Sequence, residues 1–121
     1  MSAMTTRKTL GNRGESAAAA YLQAKGYRFV EANWRCPQGE FDLIMQQHET
    51  LIFVEVRTRK GGLEAAFESI TPRKRQILEQ LAYLYLEQKQ LDCDWRIDVI
   101  AISPTTTTTA KIEHLENALD W

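Results

Sequence analysis

Two short, largely apolar runs, Glu40 to Gln46 and Leu51 to Arg57, are separated by the polar stretch Gln47-His48-Glu49-Thr50. Strand-length apolar runs on either side of a short polar stretch predict a β-hairpin. Centring the turn between His48 and Glu49 places Phe41, Leu43 and Met45 opposite Val56, Val54 and Ile52, one wholly apolar face. The other face is apolar near the turn, with Ile44, Phe53 and Leu51, and charged at its far end. There Asp42 falls opposite Glu55, and Glu40 opposite Arg57. A slip of one residue would separate Asp42 from Glu55, because side chains alternate between faces.

The remaining elements follow from periodicity and punctuation. Asn12 to Lys25 is rich in strong helix formers and is followed by Gly26, a residue suited to a left-handed helix terminus. Tyr27 to Ala32 predicts a strand, and Pro37-Gln38-Gly39 a turn. Gly61-Gly62 opens a flexible connection. Thr71-Pro72 then marks a helix start, with Ile77, Leu78, Leu81, Ala82 and Tyr85 at helical spacing down to about Gln90. Trp95 to Ile102 predicts another strand, Pro104 and the five threonines after it a loop, and Lys111 to Leu115 a short edge strand. Several strands are apolar on both sides, as expected of a sheet covered by helices on two faces. The fold class predicted is α/β, one domain over residues 12–121 behind a flexible segment at 1–11.

At 121 residues the chain is long enough to bury a core without staples. Its net charge of −1 excludes a global field that would draw in nucleic acid, so any such role falls to local basic clusters. Two cysteines and two histidines, without paired close spacing, exclude a zinc finger. No apolar run reaches the length of a membrane span, and the N-terminal segment lacks the apolar stretch of a secretory signal. The expectation is a cytoplasmic protein with reduced thiols.

Two carboxylates facing each other repel, and proteins hold such a pair with a cation or a shared proton. Hard oxygen donors at the end of a sheet suit Mg²⁺ or Mn²⁺. The blander alternative is a solvated sheet edge offset by Arg57. Glu15 shares a helical face with Ala18, Ala19 and Leu22. It either points toward the charged end of the sheet or lies in the first turn to favour the helix dipole. Arg57, Arg59 and Lys60 follow the acidic pair, and Arg73-Lys74-Arg75 opens the second helix. These clusters either grip a phosphate backbone or form ordinary solvated faces. Asp98 is expected near a sheet end, or as outer support for the acidic pair. His48 and His114 are expected at the surface, and Tyr83 and Tyr85 in the core and at its rim.

Gly39-Glu40-Phe41-Asp42-Leu43-Ile44 followed by Phe53-Val54-Glu55-Val56-Arg57-Thr58-Arg59 resembles the double signature of the YraN-like uncharacterised protein family. Gly14-Glu15, Ala18, Tyr21-Leu22, Gly26-Tyr27, Asn33, Arg35, Lys74, Ala82-Tyr83-Leu84 and Arg96-Ile97-Asp98-Val99 fit the same pattern, which covers roughly residues 11 to 118. That family is similar to the restriction-endonuclease-like fold and to the archaeal Holliday-junction resolvases. The resemblance implies a central mixed β-sheet flanked by helices in the order α-β-β-β-α-β. It implies Glu15, Asp42, Glu55 and the Val56 carbonyl as metal ligands, and Asp42, Glu55 and the residue at position 57 as catalytic. The lysine of the pattern is replaced by Arg57, and a guanidinium does not act as a general base. Two functions therefore stand. One is a Mg- or Mn-dependent endonuclease on structured or branched DNA, with Arg59, Lys60, Arg73 and Lys74 as nucleic-acid contacts. The other is a catalytically inactive nucleic-acid-binding or adaptor protein. The resolvases work as dimers, and nothing in this sequence marks a dimer surface.

Overall fold

The computed structural model describes residues 13–105 and 109–118. The segment expected to be flexible, residues 1–11, lies outside them, as do Asn12, residues 106–108 of the threonine run and residues 119–121. Helix α1 (Arg13–Ala24) carries the alanine run, and it stops where Gly26 takes a φ of 94°. The N–H of Tyr27 donates to Leu22 O and that of Gly26 to Gln23 O, the paired bonds that close a helix through a left-handed residue. Strands β1 (Arg28–Cys36), β2 (Gly39–Gln47) and β3 (Thr50–Thr58) form an antiparallel meander. A helical crossover, α2 (Gly62–Glu68) and α3 (Pro72–Gln88), leads to β4 (Trp95–Pro104), which lies parallel to β3. The antiparallel β5 (Ala110–Leu115) follows. The sheet order is β1-β2-β3-β4-β5, and the element order is the one the resemblance implies.

The two apolar faces build two cores. On the α1 side Ala18, Ala19 and Leu22 meet Leu43, Met45, Ile52, Val54, Ile100 and Ile102. On the α3 side Leu78, Leu81, Ala82 and Tyr85 meet Ile44, Leu51, Phe53, Ile97 and Val99. Thr71 starts α3 as expected: its Oγ1 accepts from Lys74 N at 3.1 Å, and Pro72 occupies the first turn. This cap sets where Lys74 leaves the helix.

Three expectations change. The connection after Gly61 contains a short helix, α2, which the glycine pair concealed. Strand β1 runs on to Cys36 instead of ending at Ala32, through a bulge between Phe29 and Glu31 and a left-handed Asn33 with φ 55°. Phe41 does not lie with Leu43. Ala32 and Leu43 pair on the α1 side, whereas Trp34 and Phe41 pair on the α3 side, two positions further on. Strict alternation would keep them on one face. The left-handed Asn33 turns the end of the hairpin over, and Phe41 stacks on Phe53 with ring centroids 4.5 Å apart. Asp42 occupies the level at which this change of face occurs.

Candidate functional site

The β2–β3 ladder runs from Gln47↔Thr50 to Leu43↔Val54, the predicted register. One step beyond, Asp42 brings its carboxylate into the place of a main-chain partner: Val56 N–H donates to Asp42 Oδ2 at 2.8 Å. Asp42 is half-buried, and Glu55 is only 5% exposed. Two cations converge on the same Glu55 oxygen. Arg57 Nη2 lies 2.7 Å from Oε2, and Lys74 Nζ reaches to 3.9 Å from α3. Glu40, expected beside Arg57, instead pairs with Arg35 across β1–β2 at 3.1 Å in solvent.

The two acids and the two cations balance in formal charge, but burial disfavours the ionised carboxylates. Burial, then the charge of Asp42, pushes the Glu55 carboxyl up to about 7, against the pull of Lys74 and Arg57. Burial also raises Asp42 above its ordinary value, opposed first by the Val56 N–H. The two acids thus resist ionising together, and a cation with hard-ligand preference would relieve both.

The other predicted residues lie as follows. Glu15 is buried at 6% exposure on the packing face of α1. Among the described residues no three His, Cys, Asp or Glu side chains form a group that could hold a metal ion. The donors that fit a divalent cation are the Asp42 and Glu55 carboxylates, a set suited to an ion that keeps several waters. Arg59, Lys60 and Arg73 are exposed, and Lys74 is half-buried. Of the predicted nucleic-acid contacts, Lys74 is the one joined to the acids by an ion pair.

Asp98 is hydrogen-bonded to its neighbours, in line with the first of its two expectations, and does not support the acidic pair, whereas His114 departs from the surface position expected of it. Asp98 is fully buried, and its partners are Arg96, His114 and Asn117 N–H rather than Asp42 or Glu55. The His114 side chain is 2% exposed, with Nε2 2.7 Å from Asp98 Oδ2 and Nδ1 2.8 Å from Lys25 Nζ. The β4–β5 pairing carries His114 to this position, opposite Ile100. An acid inside an apolar strand was the one local sign that a buried partner had to exist. No helix among the described residues is long and apolar enough to cross a membrane.

Comparison with known proteins places these residues in a wider set. The family model for uncharacterised protein family UPF0102 matches residues 14–102. A UPF0102 protein of Chloroflexus aurantiacus is 43% identical over 113 residues, 92% of each chain. One from Pelotomaculum thermopropionicum is 46% identical over 117 residues, 93% of this chain and 96% of its own. A third, from Geobacter sulfurreducens, is 41% identical over 115 residues, 93% and 90% of the two chains. With the hairpin signature, the helix pattern and a match that spans most of the chain, this protein belongs to the YraN-like family UPF0102.

Proposed function

We propose that this protein is a cytoplasmic, metal-dependent endonuclease that hydrolyses phosphodiester bonds of structured or branched DNA. The observation that carries the proposal is the Asp42–Glu55 pair: two neighbouring acids at the end of the β2–β3 ladder, their joint ionisation opposed by burial, flanked by Arg57 and Lys74. Asp42, Glu55 and the Val56 carbonyl would hold Mg²⁺ or Mn²⁺. When bound, such an ion supplies Lewis acidity toward the phosphate and lowers the pKa of a coordinated water. In the hydrolysis, water adds at phosphorus, one P–O ester bond breaks, and the departing alkoxide takes up a proton. Asp42 and Glu55 orient the centre. Arg57 keeps Glu55 in place and contributes positive potential without taking a proton. Exposed Arg59, Lys60 and Arg73 supply backbone contacts.

The second reading is a nucleic-acid-binding or adaptor protein without catalysis. One observation favours it: the residue at the lysine position of the pattern, Arg57, is committed to Glu55 at 2.7 Å. Cleavage of labelled single-stranded, duplex, flap and four-way-junction DNA, with Mg²⁺, Mn²⁺ or chelator, separates the two. Metal-dependent cutting that is lost in the Asp42→Ala/Glu55→Ala double variant is the expected outcome. Binding without cutting, equal in the double variant, would leave the adaptor reading.

A further inference from the structure

Arg57 and Lys74 approach the same carboxylate oxygen, but they are not equivalent. Arg57 sits on the strand beside Glu55. Its Nη2 makes a 2.7 Å ion pair, its side chain is 19% exposed, and its Nε is buried without a hydrogen-bond partner. Its planar fork is directed into the protein. Lys74 arrives from α3, across the site. Its Nζ stops at 3.9 Å, beyond hydrogen-bonding distance, and its side chain is 33% exposed. An ammonium on a flexible four-carbon stem, loosely held over two acids and open to solvent, can turn to a new anion without breaking a close bond. A guanidinium held at 2.7 Å cannot do so without breaking the close ion pair of a buried Glu55.

We infer that Lys74, from α3, is the cation of this site that engages a phosphate of the nucleic-acid backbone, while Arg57 serves as the internal counter-ion of Glu55. The inference rests on the nucleic-acid part of the proposed function and not on hydrolysis. It assigns the two basic residues separate tasks. A divalent ion on the carboxylates would leave Lys74 without its acidic partner, and a bound phosphate would take that partner's place.

The test is an anisotropy titration of labelled single-stranded and four-way-junction DNA in Ca²⁺ across a range of salt, with wild type, Lys74→Met, Lys74→Arg and Arg57→Lys. Each phosphate contact contributes roughly one unit to the slope of log K against log salt. Lys74→Met is expected to bind several-fold more weakly, with a slope lower by about one. Lys74→Arg should restore the slope, and Arg57→Lys should change it by less than Lys74→Met does. Thermal melting shows whether each variant is folded. A wild-type slope in Lys74→Met overturns the inference, and so does a wild type that binds neither DNA. A wild type that binds with the expected slope dependence but does not cut ends the hydrolytic reading and leaves Lys74 in its role. Cutting by Lys74→Met at the wild-type rate, with an unchanged slope, removes Lys74 and leaves hydrolysis standing.

Discussion

Glu55 and Asp98 occupy adjacent strands at nearly the same level of the sheet, Glu55 opposite Val99 and Asp98 opposite Val54. Both are almost fully buried, yet their surroundings differ. Glu55 meets Lys74 of α3, with Asp42 as its neighbouring acid. Asp98 lies in a network with Arg96, His114 and the N–H of Asn117. In that network Arg96 also bonds Tyr27 OH at 2.7 Å, and Lys25 Nζ bonds His114. Burial alone would raise the Asp98 carboxyl, but hydrogen bonds from His114, Arg96 and Asn117 hold it below its ordinary value. Burial raises Glu55, and Asp42 raises it further. A buried acid is therefore settled or unsettled by its partners rather than by its depth. Asp98 joins β4, β5 and the end of α1. Glu55 lies beside a second acid, and its charge is disfavoured.

The contrast is broken or sharpened most strongly by truncation. Asp98→Ala should destabilise the protein by about 3–5 kcal/mol, because it removes the buried anion on which Arg96, His114 and the Asn117 N–H converge. Glu55→Gln should not destabilise the protein at neutral pH and should stabilise it, by up to about 3 kcal/mol, because it removes a charge that burial and Asp42 oppose. Urea denaturation of both variants measures the difference, and equal losses would erase the distinction.

Next in size is the pH dependence. Glu55 has a folded pKa of about 7, above its ordinary value, so the unfolded chain ionises first as pH rises. The stability that Glu55 contributes is complete below the unfolded pKa and is lost as pH rises through about 7. The loss is on the order of 3 kcal/mol. Glu55→Gln should flatten this slope between about pH 5 and 8. Asp98 works in the opposite sense: its contribution is present above the unfolded pKa and is lost as pH falls below it. Melting curves across both ranges separate the two acids.

The smallest effect is that of a cation. Mn²⁺ at roughly ten times its dissociation constant should stabilise wild type by about 1.4 kcal/mol. The Asp42→Ala/Glu55→Ala variant should show no such gain, and Asp98 variants should keep it. Equal Mn²⁺ shifts in wild type and the double variant would remove the metal from this site.

The hairpin was legible because two strand-length apolar runs flank a short polar loop, so Asp42 and Glu55 could be set at the same level without any tertiary information. What depended on distant contacts was not legible. Phe41 changed face because Asn33 adopts a left-handed φ, a conformation that asparagine tolerates but does not announce. Lys74 was visible as part of a basic run at a helix start, but its reach to Glu55 depends on how α3 docks on β3. His114 seemed solitary because its partner Asp98 lies across a pairing that skips the threonine run. Glu15 was visible as an acid on the packing stripe, and the fold buries it there.

The bond from Val56 N–H to Asp42 Oδ2 has a spectroscopic consequence. This amide is protected by a side chain rather than by a neighbouring strand. Its hydrogen exchange therefore follows the carboxylate, whereas amides deeper in the ladder follow global unfolding. A single backbone proton thus reports, residue by residue and without a substrate, whether Asp42 is holding the sheet or has turned to something else.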